Sequence, residues 1–396
     1  MNLVLFVHPD FAGIRSQTLF AEWLAREYRA RGHTVDVRAP TAQLRRYVPD
    51  GCWAKWAGYV DQYVLFPREI RNVLRSDPPE TLYVFCDQAL GPWVPHVAQR
   101  PHVVHCHDLL ALRSALGDIA EHRTSASGRA YQRYIRRGFQ HARHFISISE
   151  RSRDDLRRFG SVRPCTSEVV YNGLHHPFKP VASETAQSIL RKRGLPADGM
   201  RCILHVGGGQ WYKNTLGVVR LYAAYADSAR RAGRPAAPLW IVGPDPDAAV
   251  RDMLARLESP GEARFLRGLD TEVLEALYGF AEVLLFPSLA EGFGWPIVEA
   301  LACGCPVITT GEAPMTEVGG PCALYLPRLG VGDDPNAWAT EGARVLDGLL
   351  ERTPEQRTVA AETGVDWSRR FAPGTAIDSY LKIYERVLAL ELDGRT

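Results

Sequence analysis

Residues 286–307 read FPSLAEGFGWPIVEALACGCPV. The stretch places two carboxylates, Glu291 and Glu299, on either side of the turn Gly292-Phe293-Gly294-Trp295-Pro296. This turn is too rich in glycine and proline to continue a regular element. Taken alone, the stretch is better explained by a core helix with ordinary acids, since an acid near a helix start suits the helix dipole. The rest of the chain decides between that explanation and a functional one.

A helix and a strand are predicted to follow the turn. Pro296 fits the first position of a helix, because its missing N–H has no partner there and its φ is already helical. The apolar run 297–303 predicts a short helix, Gly304 predicts its left-handed end, and residues 305–309 predict a new strand. Glu299 is then expected in the first turn of the helix, beside backbone N–H groups that suit a phosphate.

The bulk properties are those of a globular enzyme of more than one domain. The chain has 396 residues, 46% of them hydrophobic and 23% charged, and a net charge of +2. This length favours two domains, and this charge gives no global field that would attract nucleic acid. The eight cysteines form no C-x-x-C pattern, which predicts reduced thiols in a cytosolic protein. The apolar run 3–7 is too short for a signal peptide, and no run reaches the length of a membrane span.

Short apolar strands alternate with amphipathic helices along the whole chain, which predicts an α/β fold with parallel sheets. Besides the strand after Gly304, strands are predicted at 3–7, 34–38, 81–86, 102–106, 144–148, 167–171, 202–206, 239–242, 263–266 and 282–286. We expect two Rossmann-like doubly wound domains that face each other across a cleft. The predicted boundaries are 1–176 for the first domain, 177–372 for the second, and 373–396 for a C-terminal helix that packs back on the first domain. Residues 175–180, with two prolines, are the predicted hinge.

Three consecutive glycines, Gly207 to Gly209, follow a predicted strand and precede Lys213. Such a turn allows a ligand to approach the backbone closely, and the lysine adds a charge that suits a diphosphate. A plain tight turn explains the glycines equally well.

Two other polar groups suggest a metal, and each has a simpler explanation. His105 and His107 lie two residues apart on a predicted strand, but no third ligand has suitable spacing. We prefer a hydrogen-bonding role for His107. Asp245 and Asp247 form a D-x-D sequence, which a turn and a helix cap explain better than a cation site. We therefore predict no metal.

The segment around Trp53 and Trp56 has apolar residues at helical spacing, with basic residues beside them. The default interpretation is a helix that faces the core. The alternative is an amphipathic surface that docks a lipid-linked acceptor. Residues 123–163 hold eleven arginines against three acids, which a solvated helix face explains, although a basic surface for an anionic acceptor or membrane is the alternative.

Together these motifs resemble glycosyltransferase family 4, the retaining nucleotide-sugar-dependent enzymes with the GT-B fold. Residues 286–307 are similar to the family pattern FPSxxEGFGxPxxEAxAxGxPV, which contains the paired glutamates at the same spacing. Weaker matches are found at 107–109, 148–152, 170–174, 205–208, 213–214, 241–243, 266–269 and 317–320. The match is dense after about residue 165 and thin before residue 100. Many relatives carry an arginine just after the strand that ends at Gly207, whereas this chain has Gly208-Gly209-Gln210 there, so Lys213 is expected to be the main cation.

The resemblance implies roles for particular residues. His107, Glu291 and Lys213 would be catalytic, with His107 near the reacting carbon of the sugar. Glu299 would bind the ribose hydroxyls. The donor would be bound by Gly13, Gly207, Gly208, Lys213, Gly243, Leu269, Glu291, Gly292, Phe293, Gly294, Trp295, Ile297 and Glu299. Gly13 would contact either the phosphates or the acceptor.

The function implied by the resemblance is hexose transfer from a nucleotide-sugar to a hydroxyl of a glycan or lipid-linked acceptor, without a cofactor or metal. GDP-mannose is the favoured donor, because the HDL and Lys-Asn motifs resemble those of bacterial polysaccharide mannosyltransferases. The alternatives are a UDP-sugar donor, an epimerase of the same fold, and a non-catalytic nucleotide-sugar binding protein. We expect a cytoplasmic protein, with peripheral association to the inner face of the membrane as an open alternative and no nucleic-acid partner.

Overall fold

The computed structural model describes residues 1–49, 51–197, 200–257 and 263–393. The chain divides into two units, one formed by residues 1–175 together with the segment from Pro373, and the other by residues 176–372. The last three residues of the predicted segment 373–396 lie outside the described residues. Each unit is built on one six-stranded sheet in which all neighbouring strands are parallel.

The first unit has the strand order β2-β1-β3-β4-β5-β6. Its strands are β1 (Asn2–Phe6), β2 (Thr34–Arg38), β3 (Leu82–Phe85), β4 (His102–Cys106), β5 (His144–Ser147) and β6 (Thr166–Val169). Its helices before the second unit are α1 (Arg15–Ala30), α2 (Cys52–Val60), α3 (Phe66–Val73), α4 (Val94–Val97), α5 (Leu110–Leu116), α6 (Ala126–Phe139) and α7 (Glu150–Phe159). A π-helical turn, Asp61–Leu65, connects α2 and α3, and a 3-10 turn, Gln88–Trp93, follows β3.

The second unit has the strand order β12-β11-β10-β7-β8-β9. Its strands are β7 (Ile203–Val206), β8 (Leu239–Val242), β9 (Ala263–Leu266), β10 (Val283–Phe286), β11 (Val307–Thr310) and β12 (Ala323–Leu326). Its helices are α8 (Ser183–Lys192), α9 (Thr215–Arg231), α10 (Ala248–Leu254), α11 (Thr271–Phe280), α12 (Trp295–Ala302), α13 (Met315–Gly319), α14 (Pro335–Leu350) and α15 (Pro354–Ser368). The chain then returns to the first unit as α16 (Pro373–Asp393).

The second sheet departs from the sequence prediction at its far edge. β12 was not predicted, because four residues with no β-branched side chain give a weak strand signal. It forms by pairing in parallel with β11, a tertiary contact that the strand propensities of its residues do not predict. β11 begins at Val307 rather than at residue 305, and α12 begins at Trp295, so that Glu299 lies in its second turn and not its first.

α16 completes the core of the first unit through polar contacts as well as apolar ones. The hydroxyl of Tyr28 on α1 donates to that of Tyr384 (3.0 Å), which donates in turn to Nε2 of His105 (2.7 Å). Near the end of the helix, the buried Glu391 accepts a 2.8 Å hydrogen bond from His144 on β5. Buried polar groups need partners, so these contacts define one position for the helix. They also give His105 a structural partner.

Candidate active site

Residues at one edge of the second sheet form the candidate site. In the order β12-β11-β10-β7-β8-β9 the chain reverses direction across the sheet between β7 and β10. In open parallel sheets, ligands bind outside the carboxyl ends of the strands at such a switch point. Gly207, Gly208 and Lys213 follow β7, Gly243 follows β8, Leu269 follows β9, and Gly292 to Ile297 follow β10. The structure therefore brings the predicted donor residues of this unit to one edge.

Lys213 and Glu291 form an ion pair at this switch point. Nζ of Lys213 lies 2.8 Å from Oε1 of Glu291, and the two side chains are 14% and 8% exposed. The ammonium group also lies 4.9 Å from the centroid of the Phe286 ring. A charge that is largely shielded from water acts more strongly on its neighbours than a surface charge does. The pair places one cation and one anion where a phosphate and a sugar hydroxyl are expected.

Two hydrogen bonds hold the turns that carry this pair against each other. The amide of Leu289 donates to the carbonyl of Tyr212 (2.7 Å), and the side chain of Asn214 donates to the carbonyl of Pro287 (3.0 Å). Asn214 has a left-handed backbone with φ of 54°, which asparagine tolerates better than most residues. The link between the β7 and β10 turns thus depends on residues beside the pair, not only on the pair itself. Arg328, after β12, adds a third contact by donating to the carbonyl of Leu289 (2.8 Å).

Glu299 is buried on α12, and its carboxyl group forms a hydrogen bond with a tyrosine. Its Oε2 accepts a 2.8 Å hydrogen bond from the hydroxyl of the fully buried Tyr278 on α11. Burial raises the pKa of Glu299 to about 7, although the Tyr278 hydrogen bond and the charge of Lys213 both act to lower it. Within the described residues Oε1 of Glu299 forms no hydrogen bond, which leaves that oxygen for a ligand.

The glycines after β7 and β8 are required by packing as well as by any ligand. A Cβ on Gly243 would lie 2.3 Å from the carbonyl oxygen of Gly207, so the two turns approach too closely for a side chain. A Cβ on Gly207 would lie 2.8 Å from Nε2 of the buried His205. The glycine turn can therefore be both a tight turn that packing requires and a site where a ligand approaches the backbone. The same close approach that excludes side chains leaves bare backbone at the switch point.

The turn after β10 is shaped by Gly294, whose φ of 102° is a conformation that L side chains rarely adopt. Its carbonyl accepts a hydrogen bond from the amide N–H of Ile297 (3.0 Å), and Pro296 has no backbone N–H. Ile297 was predicted to bind the donor. Its amide is already used within the first helical turn, and donor binding by Ile297 stays a prediction. The ring of Phe293 packs against Phe371, with centroids 5.7 Å apart, and is buried.

The two aspartates of the D-x-D sequence have separate structural partners. Asp247 caps α10 by accepting the amide of Val250 (2.9 Å), as predicted. Asp245 was also expected to serve the turn or cap, but its carboxylate pairs instead with the exposed Arg267 (2.7 Å). Within the described ranges no three His, Cys, Asp or Glu side chains are grouped as a metal site requires.

His107 lies at the carboxyl end of β4 in the first unit. It is buried, its Nε2 donates to the carbonyl of Cys86 (2.9 Å), and its backbone amide donates to Gln88 (2.8 Å). Burial lowers the pKa of His107, so the ring is neutral at pH 7 and carries its hydrogen on Nε2. Its Nδ1 is therefore a hydrogen-bond acceptor. The Phe20 ring packs against the His107 ring in a T-shaped arrangement, with the ring centroids 4.6 Å apart.

The sequence reasoning did not identify a second pair near His107. His8 follows β1 and Asp87 follows β3, and these two strands flank the switch point of the first sheet. Nε2 of His8 lies 2.9 Å from Oδ2 of Asp87, with side-chain exposures of 9% and 8%. Each residue comes directly after a predicted strand, so the rule that ligands gather at strand ends was the available signal. Gly13, between β1 and α1, has φ of 67° and open space where a Cβ would be.

The default interpretation of the Trp53 segment is wrong. Trp53 and Trp56 lie on α2 with 75% and 61% of their surface exposed, and Tyr47 just before the helix is 71% exposed. The inward side of the segment is occupied by Ala54, Ala57 and Asp61 instead. The helical spacing was correct, but the largest apolar side chains point to solvent. Every helix among the described residues is too short or too polar to cross a membrane.

Comparison with known proteins identifies the family. Residues 17–173 match a family model described as a glycosyl transferase 4-like domain, and residues 201–347 match one described as glycosyl transferases group 1. The chain belongs to glycosyltransferase family 4. It is therefore an enzyme that transfers a sugar from a nucleotide-sugar, of the retaining GT-B type. Family membership removes the non-catalytic binding protein from the alternatives.

The curated relatives of this family 4 glycosyltransferase are distant. It is 25% identical to the O-antigen chain mannosyltransferase B of Escherichia coli over 289 residues, which cover 71% of this chain and 70% of the relative. It is 26% identical to a D-inositol 3-phosphate glycosyltransferase of Corynebacterium glutamicum over 316 residues, covering 77% and 71% of the two chains.

Solved structures confirm the GT-B fold of the family 4 glycosyltransferase. Anabaena Alr3699/HepE, in complex with UDP and glucose, superposes with a TM-score of 0.71 at 17% identity and covers 98% of this chain and all of its own. WaaG, a glycosyltransferase involved in lipopolysaccharide biosynthesis, superposes with a TM-score of 0.64 at 16% identity, covering 95% and 98% of the two chains. The predicted pair of doubly wound α/β domains is thus confirmed.

Proposed function

We propose that the protein transfers a hexose, with GDP-mannose as the favoured donor, to a hydroxyl of a glycan or lipid-linked acceptor. The observation that carries this proposal is the Lys213–Glu291 ion pair beside Glu299 at the switch point of the second sheet. Mannose is supported by the similarity to an O-antigen chain mannosyltransferase. A UDP-sugar is the alternative donor, because the roles proposed for these three residues concern phosphate, sugar and ribose rather than the base.

The donor contacts follow from the chemistry of each group. Glu299 accepts the ribose hydroxyls through Oε1, while Tyr278 holds its other oxygen. Lys213 attracts the diphosphate, and Glu291 accepts hydroxyls of the donor sugar. Gly207, Gly208 and Gly243 let the phosphates approach the backbone. In this assignment the second unit binds the donor and the first unit binds the acceptor.

Lys213 supplies the main catalytic effect that we assign to this site. Negative charge develops on the diphosphate as its bond to the sugar breaks, and a fixed ammonium group in a shielded site stabilises that charge. The leaving phosphate takes the proton of the incoming hydroxyl on the same face, so the configuration is retained and no covalent nucleophile is required. Glu291 holds the sugar and the lysine in position. His107, neutral and fixed by Cys86, offers Nδ1 to a sugar hydroxyl.

A thermal-shift screen against GDP, UDP, ADP and their sugars tests this function. A ligand at 100 times its Kd adds about 2.7 kcal/mol to the stability of the protein, so only compounds that bind the folded protein raise the Tm. We expect GDP and GDP-mannose to raise the Tm of the wild type and to have little effect on Glu299→Ala. Glu341→Ala, on the exposed side of α14, is the matched control. A shift with UDP compounds alone would select the alternative donor, and no shift with any compound would contradict the proposal.

We further propose that the protein binds its acceptor at a membrane. The surface formed by Tyr47, Trp53 and Trp56, which we call the aromatic surface, would contact the bilayer. Exposed aromatic side chains with cations beside them suit the interface of a bilayer with anionic lipids. Arg46 lies 4.6 Å from the centroid of the Tyr47 ring, and Lys55 on α2 lies 5.6 Å from that of Tyr59. The arginines of residues 123–163 are weaker candidates, because several pair with acids such as Glu150, Asp154 and Asp155.

A further inference from the structure

A largely buried imidazole–carboxylate pair lies at the switch point of the first sheet, and the donor contacts proposed above do not use it. β1 and β3 are neighbours in the order β2-β1-β3-β4, and the chain reverses direction across the sheet between them. His8 and Asp87 follow these two strands, and His107 follows the next strand, β4. This is the position at which open parallel sheets bind their ligands.

The hydrogen atoms of this pair can be assigned from its chemistry. A carboxylate only accepts, so Nε2 of His8 donates to Oδ2 of Asp87 across 2.9 Å. The other oxygen of Asp87 accepts the amide of Ala89 (2.8 Å). With Nε2 committed as the donor to Asp87, Nδ1 is the ring nitrogen that is left to accept a hydrogen bond. Within the described residues this nitrogen forms no hydrogen bond, and the side chain is 9% exposed.

Asp87 remains ionised in spite of its burial. Burial alone would raise its pKa, but the hydrogen bond from His8, the electrostatic influence of the His8 and His107 rings and the amide of Ala89 together hold the pKa below its ordinary value. An ionised carboxylate fixes the tautomer and the orientation of the imidazole it binds, as in other carboxylate–histidine pairs. His8 is thereby held with one nitrogen committed to Asp87 and the other directed away from it.

We propose that His8 binds the hydroxyl group of the acceptor through Nδ1, and that Asp87 is the positioning residue that holds its ring. This inference rests on the proposed sugar transfer and adds the residue that contacts the second substrate. The ligand class is a sugar or polyol hydroxyl, which donates its hydrogen to the imidazole. The hydrogen bond fixes the position of the acceptor oxygen, so its loss lowers transfer and leaves donor binding unchanged.

The simpler explanation is structural: Asp87 caps the turn Gln88–Trp93, and His8 anchors the chain after β1. His8→Gln separates the two explanations. A glutamine amide can reach Asp87 from the position of Nε2, which keeps the structural contact, but it places nothing at the position of Nδ1. Asp87→Asn is the second variant, and His141→Gln, at an exposed histidine of the same unit, is the matched control.

The experiment uses the full chain with GDP-mannose and UDP-glucose as donors, and D-inositol 3-phosphate and octyl α-D-mannopyranoside as acceptor probes. The acceptor that the wild type glycosylates is used for kcat and KM. Donor hydrolysis, in which water is the acceptor, and the Kd of the free nucleotide are measured in parallel. We expect His8→Gln to raise the acceptor KM and to lower transfer about tenfold, the usual effect of one hydrogen bond. The hydrolysis rate and the nucleotide Kd should stay within twofold of the wild-type values. The Tm should match that of the wild type within experimental error.

We expect Asp87→Asn to raise the acceptor KM in the same way, and His141→Gln to change nothing. Unchanged transfer by His8→Gln would overturn the inference and leave the proposed function intact. Equal losses in transfer and hydrolysis would also overturn it, because they would assign His8 to the donor. A wild type that neither binds nor hydrolyses any nucleotide-sugar would overturn the proposed function itself.

Discussion

Nζ of Lys213 and Oε1 of Glu291 lie 2.8 Å apart, although 78 residues separate them in the chain. Both side chains are largely buried, so each charge depends on the other for compensation. The contact joins the turn after β7 to the turn after β10, at the switch point of the second sheet. The ion pair places side by side the lysine and the glutamate to which the proposed function assigns the diphosphate and the donor sugar.

Lys213→Met and Glu291→Gln should each lower turnover by roughly 10²–10³-fold, the loss expected when one preorganised electrostatic contact is removed. Each should also lower the stability, because the remaining charge loses its partner. The double variant should recover part of the stability and none of the turnover. Steady-state kinetics and urea unfolding of the four proteins measure both quantities. The control is Asp245→Asn, which breaks an exposed pair with Arg267. Recovery of turnover in the double variant would exclude a catalytic role.

Glu299 should make the stability of the protein decrease as the pH rises. Its pKa is about 7 in the folded protein and about 4.5 in its ordinary state, so the folded protein binds this proton more tightly than the unfolded chain does. Its stabilising contribution is complete below about pH 4.5 and is lost as the pH rises through 7. The loss is on the order of 3 kcal/mol. Urea unfolding at pH 5 and pH 8 should show this change in the wild type and not in Glu299→Gln. Equal pH dependence in both proteins would contradict the assigned pKa.

Nucleotide affinity should rise with pH over the same range, because the proposed function has the ribose hydroxyls bind the ionised form of Glu299. Affinity should fall by up to about tenfold per pH unit below pH 7. Tyr278→Phe removes a hydrogen bond that lowers the pKa of Glu299, so it should weaken binding at pH 7 and much less at pH 9. Calorimetric titration with GDP or UDP measures this. Tyr225→Phe, which loses the hydrogen bond that the Tyr225 hydroxyl accepts from the amide of Ala237 in the same unit, is the control and should follow the wild type.

Metal removal should leave sugar transfer intact. In the proposed mechanism Lys213 supplies the charge that a divalent cation would otherwise provide. The two aspartates of the D-x-D sequence already have a cap and an arginine as partners. Activity after EDTA treatment should therefore match the untreated enzyme, and Asp245→Asn with Asp247→Asn should retain it. Strict dependence on Mn²⁺ or Mg²⁺, abolished by these two substitutions, would restore the D-x-D sequence as a metal site.

Trp53→Ser with Trp56→Ser should release the protein from anionic vesicles. Each large exposed side chain transferred to the interface contributes roughly 1.5–3 kcal/mol, and each nearby cation about 1 kcal/mol on an anionic surface. Co-sedimentation with vesicles of 30% phosphatidylglycerol should show binding by the wild type that weakens with salt, and little binding by the variant. Val359→Ser, which removes an exposed apolar side chain in the second unit, is the control. Equal binding of all three proteins would contradict a role for the aromatic surface.

Most of the fold was predictable because apolar periodicity records which side chains face a core. The run at 102–106 coincides with β4, and the run at 239–242 coincides with β8. β12 escaped prediction because its four residues become a strand only by pairing with β11. The exposure of Trp53 and Trp56 was not predicted, because periodicity gives the spacing of a helix and not the direction of its apolar face.

The sequence by itself determined two parallel α/β units, the family, and the glutamates of residues 286–307, because these depend on local pattern and spacing. Only the tertiary structure decided which groups meet. It joined Glu291 to Lys213, gave Glu299 a tyrosine partner and a raised pKa, used the amide of Ile297 within its own helix, and paired His8 with Asp87. The reason is physical: hydrogen bonds, ion pairs and burial depend on distances between strands that are far apart in the chain. A sequence records which groups are present, and the packed sheet decides what each one contacts.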